Sequence, residues 1–185
     1  MAIEMDLTEK QLKAEYVFKG KIFNARVDEA LMPDGRTAVR EVVEHNGGVM
    51  VAPLDSDGNL YFVDQFRYPY FEVVTELPAG KLEKGEDPYE AGIRELKEET
   101  GMTAEKIISL GKLYPSPGYC GEIIHLYLAT GLTYGEQDPD DDEFLEVKKI
   151  HISKAVEMVM NGDLPDSKTQ VGVLKIARLL DESKI

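Results

Sequence analysis

Two kinds of apolar spacing run through the chain. Residues 15–32, "EYVFKGKIFNARVDEALM", interleave Val, Phe and Tyr with polar residues and lead into the turn "PDG" at Pro33 to Gly35, a pattern that predicts strands joined by a hairpin. "REVVEH", "GVMVAPL" and "LYFVDQF" follow, separated by Asn46-Gly47-Gly48 and by "DSDG" at 55–58, the spacing of a meander. "FEVVTELP" adds another β-prone run. From Asp87 to Thr100 the apolar period lengthens: Ala91, Ile93, Leu96 and Thr100 fall on or near one stripe, and Gly101 stands as a C-terminal stop, which predicts a helix with Ile93 and Leu96 facing the core. "KIISLGKLY", "EIIHLYLAT" and "FLEVKKIHI" again read as strands, the first two separated by the turn-rich "PSPGYCG". Two helices close the chain, "SKAVEMVMNG" and "SKTQVGVLKIARLLDE", the second with Val173, Leu174, Ile176, Ala177, Leu179 and Leu180 as its apolar face. Strands outnumber helices, and the helices are expected on the sheet faces of an α/β sandwich.

Composition narrows the function more than the fold. With 185 residues, 43% of them hydrophobic, the chain has material for one core and is read as a single domain, 1–185. No apolar run approaches the roughly 20 residues of a membrane span, and the acidic, polar start "MAIEMDLTEKQLK" lacks an export signal, so a cytoplasmic protein away from the membrane is expected. Cys120 is the single cysteine, which excludes an intrachain disulfide and a zinc site of the CxxC type; any metal has to be held by oxygen. Twenty-one Lys and Arg against 35 Asp and Glu give a formal net charge of −14. A nucleic-acid backbone would approach against that field, so no nucleic-acid partner is expected, and an anionic small molecule needs local cations.

The helix 87–100 carries the chemistry. Glu95 and Glu99 are one turn apart on one face, separated by about 6 Å along the axis, and Glu98 falls in the same sector, roughly 100° wide. A solvated face laced by Arg94 and Lys97 is the ordinary reading of such a cluster, through the i,i+4 pairs Glu90–Arg94 and Arg94–Glu98. The alternative is a cradle for a hard cation, Mg²⁺ or Mn²⁺, which needs several anionic oxygens on a rigid element.

The surroundings favour the cradle. Gly80, five residues, Glu86, seven residues, then Arg94-Glu95-Leu96-Lys97-Glu98-Glu99-Thr100-Gly101-Met102 resembles the complete box of the Nudix hydrolases. The resemblance implies an α/β fold, a Nudix-like α/β/α sandwich with a mixed sheet preceded by N-terminal antiparallel strands. It also implies hydrolysis of a nucleoside diphosphate linked to another group. Glu95 and Glu99 would be side-chain ligands to Mg²⁺ or Mn²⁺, two or more per site, with Glu98 a further ligand or catalytic helper. Arg94 would orient the glutamates, Glu86 would neighbour the cluster, and Gly80 and Gly101 would permit the loops. The carbonyl before the first glycine, at Ala79 in "ELPAG", would also bind metal.

Pro117, sixteen residues beyond Gly101 within "SPGYCGE", resembles the ADP-ribose pyrophosphatase branch. That branch implies Mg²⁺-dependent hydrolysis of ADP-ribose to AMP and ribose 5-phosphate. Glu143, from the acidic run 136–143 just before "FLEV", would activate water, with Glu146 second in line. Substrate would be met by Arg67 in "DQFRYP", by Arg40, Glu41 and His45, and by Ser116, Pro117, Gly118 and Glu122. The base would stack on Tyr16, Phe18 or Phe23. His125 and His151 read as structural. The branch further implies a homodimer, with 1–40 as the dimerisation strands and 41–185 as the catalytic core. Competing readings are a hydrolase of another nucleoside diphosphate sugar such as GDP-mannose, and a non-catalytic nucleotide-sensing module. The second is disfavoured because all the box carboxylates are present.

Overall fold

The computed structural model describes residues 6–140 and 143–185. The chain forms two compact units, one from Met1–Asn46 with Tyr114–Glu122, the other from Gly47–Leu113 with Ile123–Ile185.

The first unit is an antiparallel sheet of β1 (Lys10–Lys19), β2 (Phe23–Leu31) and β3 (Thr37–His45), in that spatial order. β2 and β3 pair without a break, from Phe23 opposite His45 to Leu31 opposite Thr37, and Gly35 at φ 87 closes the expected "PDG" turn. β1 is an edge strand exposed along its whole length. On β2, Asp28 is buried and is held by Arg26 and Gln11, as a carboxylate out of water requires.

The second unit holds both faces of a strand layer under helices. β4 (Gly48–Pro53) lies between β7 (Ala79–Lys81) and β9 (Ile124–Thr133), with β8 (Thr103–Leu113) outside β9. The β4–β9 pair is parallel and its neighbours antiparallel, so this sheet is mixed. A second antiparallel sheet runs β10 (Leu145–His151), β5 (Asn59–Arg67), β6 (Glu72–Glu76). Alternation along β4, buried throughout, assigns its two faces. Val49 and Val51 pack with Ala91 and Leu96 of α1 (Pro88–Thr100), whereas Met50 and Ala52 pack with Ala155 of α2 (Ile152–Asn161) and Val173 and Ile176 of α3 (Ser167–Asp181). Each fully buried Leu in these clusters contributes about 1.5–3 kcal/mol of transfer free energy. The result is the expected α/β/α arrangement.

Three details depart from the sequence reading. Ile93 is exposed at 38%, while Gly92, Glu95, Leu96 and Glu99 are buried; the helix is rotated so that its acidic stripe, rather than Ile93, faces inward. Leu174 is likewise 40% exposed, and α3 buries Lys168, Thr169, Gly172, Val173 and Ile176 instead. Phe144 precedes β10 rather than opening it and is 86% exposed. Asp87 is the N-cap of α1, accepting from Tyr89 N at 2.9 Å and Glu90 N at 3.3 Å, with Pro88 in the first turn.

Candidate active site

α1 is fixed at both ends. Beyond the Asp87 cap, Gly101 takes φ 70 and its N–H donates to Lys97 O at 2.8 Å, an αL stop that glycine adopts without strain. Gly101 does a second thing that its turn role does not require. A Cβ there would lie 2.8 Å from Gln137 N, because the start of the acidic loop lies directly on the helix end. Asp138 N donates to Glu98 O at 3.0 Å and Gln137 Nε2 donates to Glu99 O, so the loop satisfies carbonyls that the helix leaves without partners.

Within that helix, Glu99 is 2% exposed and Glu95 6%. Burial pushes the Glu99 carboxyl up to about 8, and the charges of Glu95 and Glu143 add to it, opposed by the Ala79 N–H bond and by Arg67. Burial likewise lifts Glu95 to about 7, against the pull of Arg94 and with the repulsion of Glu98 and Glu143. Glu99 Oε2 accepts from Ala79 N at 2.9 Å. Gly80 closes over the neighbouring carboxylate, and a Cβ there would collide with Glu95. Glycine at 80 is therefore a matter of close approach as much as of loop shape.

Arg94 gathers the remaining box acids. Its Nε donates to Glu86 Oε1 at 3.0 Å, and its Nη1 lies 2.8 Å from Glu95 Oε1 and 2.7 Å from Glu98 Oε2. Glu86 holds it most strongly in the charged state. Glu98 is half-buried on Arg94, so the three glutamates of the helix do not converge: among the described residues no three acidic, histidine or cysteine side chains form a ready cage. Glu99, bonded by the Ala79 N–H, and Glu95, which also meets Arg94, are the buried carboxylates left as candidate oxygen donors. Two buried carboxyls with raised pKa values fit a hard divalent cation, which would favour the ionised form that burial disfavours.

Glu143 is half-buried, and its charge acts on both Glu95 and Glu99. Glu146 is exposed and acts instead on Lys148, which pairs with Asp64. Arg67 ends β5 and clasps Glu76 with Nε–Oε1 at 2.6 Å and Nη2–Oε2 at 2.8 Å; the charge of Glu99 also acts on it. In the other unit, Val43 N donates to Tyr119 O at 2.8 Å and Gly121 N to Val43 O at 2.9 Å. This seats Ser116, Pro117 and Gly118 beside β3 and brings His45 Nδ1 within 3.5 Å of Glu122 Oε1. Glu41 shares the His45 face of β3, whereas Arg40 points to the opposite face and is engaged by Glu9 at 2.6 Å. Tyr16, Phe18 and Phe23 are all exposed, with Phe18 and Phe23 in ring contact. His151 caps α2 by accepting from Ser153 N, a structural role as expected.

Sequence reasoning passed over Glu76, Lys168 and Gln137. The first two carried a signal: each is a charged residue in the phase of a buried stripe, Glu76 two after Val74 on β6 and Lys168 four and five before Gly172 and Val173 on α3.

A mixed-sheet α/β/α sandwich whose capped helix presents buried carboxylates to a glycine loop is the frame of a divalent-cation-dependent hydrolase. Residues 44–168 match the NUDIX domain and residues 9–43 the nucleoside diphosphate sugar hydrolase N-terminal domain; the chain belongs to the Nudix family and is a Nudix pyrophosphatase by class. The ADP-ribose pyrophosphatase of Bacillus subtilis (strain 168) is 39% identical over 169 residues, covering 90% of this chain and 91% of its own. The methanol dehydrogenase activator of Bacillus methanolicus is 40% identical over 167 residues, covering 89% and 90%. A solved structure described as an ADP compounds hydrolase superposes with a TM-score of 0.84 over 97% of this chain and 98% of that one, at 22% identity, and so speaks for the fold.

Proposed function

We propose that the chain hydrolyses the pyrophosphate bond of ADP-ribose, giving AMP and ribose 5-phosphate, with Mg²⁺ or Mn²⁺ as cofactor and two or more cations per site. The observation that carries the reading is the buried pair Glu95 and Glu99, lifted to about 7 and 8 beside the Ala79–Gly80 loop; the relative named for ADP-ribose supports the substrate. Glu95, Glu99 and the Ala79 carbonyl hold the cation. When bound, it supplies charge neutralisation on the pyrophosphate and a lowered pKa for water. Glu98 is kept in place by Arg94 and assists at the edge of the site.

Glu143 takes the proton from the attacking water as the new bond to phosphorus forms and the bond from phosphorus to the bridging oxygen breaks. Its charge is among the leading influences on both buried glutamates, whereas that of Glu146 is among those on Lys148, which supports Glu143 as the base. Arg67 meets the pyrophosphate with its Nη1 group. Glu41, His45, Ser116, Pro117, Gly118 and Glu122 serve the nucleoside and ribose ends, and an aromatic among Tyr16, Phe18 and Phe23 takes the base. Arg40, turned away and paired with Glu9, contributes orientation of the strand at most. Residues 1–40 dimerise the enzyme, 41–185 form the catalytic core, and the small-molecule substrate is met in the cytoplasm. No helix among the described residues is long and apolar enough to cross a membrane.

Incubation with Mg²⁺ and ADP-ribose, GDP-mannose, NADH or diadenosine polyphosphates, with product identification, tests the reading. AMP is expected chiefly from ADP-ribose. Preferred release of GMP from GDP-mannose would replace the substrate, and no turnover of any compound would leave a sensing module. Glu143→Gln should lower kcat by about 10²–10⁴-fold while calorimetry shows Mg²⁺ binding retained.

A further inference from the structure

Among the described residues Lys168 is the single buried cation, 8% exposed. It sits in the first turn of α3, where the helix dipole disfavours positive charge. Its place is explained by Glu76, 2% exposed at the end of β6. Glu76 Oε2 accepts from Lys168 and, at 2.8 Å, from Arg67 Nη2, while Oε1 accepts from Arg67 Nε at 2.6 Å. Burial works to raise the Glu76 carboxyl, but Arg67 and Lys168 overcome it and hold the group ionised. Asp166, the N-cap of α3, lies 3.0 Å from Lys168, and Thr169 accepts the Leu77 N–H at 2.8 Å.

Neutralising Glu76 needs only one cation, and Arg67 alone supplies it bidentately. A second buried cation adds desolvation cost, where an apolar side chain would serve stability as well. What the second cation changes is the charge left on Arg67: Glu76 and Asp166 both act on that arginine, and Lys168 pairs with both of them. With Glu76 shared, the guanidinium keeps net positive character, its Nη1 makes no hydrogen bond among the described residues, and its side chain is 36% exposed. The charge of Glu99 acts on it as well.

We propose that Lys168 is a positioning residue for recognition of the substrate diphosphate: by drawing on Glu76 it holds Arg67 in its clasp and leaves that arginine the charge to bind the anion. The inference rests on the hydrolysis proposed above and deepens it. Lys168 itself touches no substrate.

Lys168→Met, Lys168→Gln and Lys168→Arg test this by steady-state kinetics on ADP-ribose, by competitive inhibition with inorganic pyrophosphate, and by thermal melting. The two neutral variants should raise KM and the pyrophosphate inhibition constant together, by about tenfold, with kcat held within about threefold; Lys168→Arg should restore both. A folded Met or Gln variant with a lower Tm but unchanged KM and inhibition constant overturns the inference, as does a loss confined to kcat. If the Met variant does not fold, the Gln and Arg variants decide by the same readouts. A wild-type chain that leaves ADP-ribose intact overturns the proposed function instead, and calorimetric titration of pyrophosphate into wild type and Lys168→Gln then still decides the role of Lys168: equal affinities overturn it.

Discussion

Glu76 and Glu99 are buried to the same degree, 2% exposed each, yet their carboxyls move in opposite directions. Glu76 is held below its ordinary value by Arg67 and Lys168, whereas Glu99 has one backbone N–H and rises to about 8. The first is a completed structure. The second is a carboxylate that folding has brought out of water with no ion pair of its own, only the more distant charge of Arg67 to oppose burial, and burial makes that costly. The contrast separates an acid whose charge is answered within the fold from one whose charge the proposed cation would answer.

Substituting each by its amide breaks the comparison most sharply. Glu99→Gln keeps an oxygen to accept from Ala79 N but loses the anionic ligand; turnover should fall about 10³-fold, equivalent to about 4 kcal/mol, with metal-free thermal stability no lower than wild type. Glu76→Gln should do the reverse to stability, since Arg67 and Lys168 then share no carboxylate: about 3 kcal/mol should be lost in a denaturant titration, within the range for breaking a buried pair. Equal destabilisation by the two amides would show that the two acids are not distinct.

A smaller effect lies in pH. The folded-state values of Glu95 and Glu99, about 7 and about 8, stand above the unfolded value near 4.5. The folded protein therefore binds more protons across that window, and metal-free stability is full at the acid end and falls as pH rises through about 7–8. Without divalent cation, Tm should drop by a few degrees between about pH 5.5 and pH 8, and Mg²⁺ should recover it at the higher pH but add little at the lower. A Tm that rises over the same interval without metal would contradict the assignment.

Much of this was readable in the chain, because the box residues are local: Asp87, Pro88 and Gly101 mark the helix, and Glu95 and Glu99 share a face by spacing alone. Which way that face points was not readable. The apolar stripe of Ala91, Ile93, Leu96 and Thr100 puts Ile93 inward, and only the approach of the Gly80 loop from β7 shows that the acids take the buried side. The Glu76–Lys168 pair spans 92 positions, and no local period can announce such a partner; charges standing in the phase of the buried stripes on β6 and α3 are its only trace. On β3, period-two alternation already separates Arg40 from Glu41 and His45. Grouping them by nearness in sequence overlooked it.

The seating of the acidic loop on the end of α1 bears on how such an enzyme diversifies. Gly101 lies against the backbone of Gln137 and Asp138 is tied to Glu98 O, so changes in loop length before Asp138 would disturb α1 itself, and with it the seating of Glu95 and Glu99.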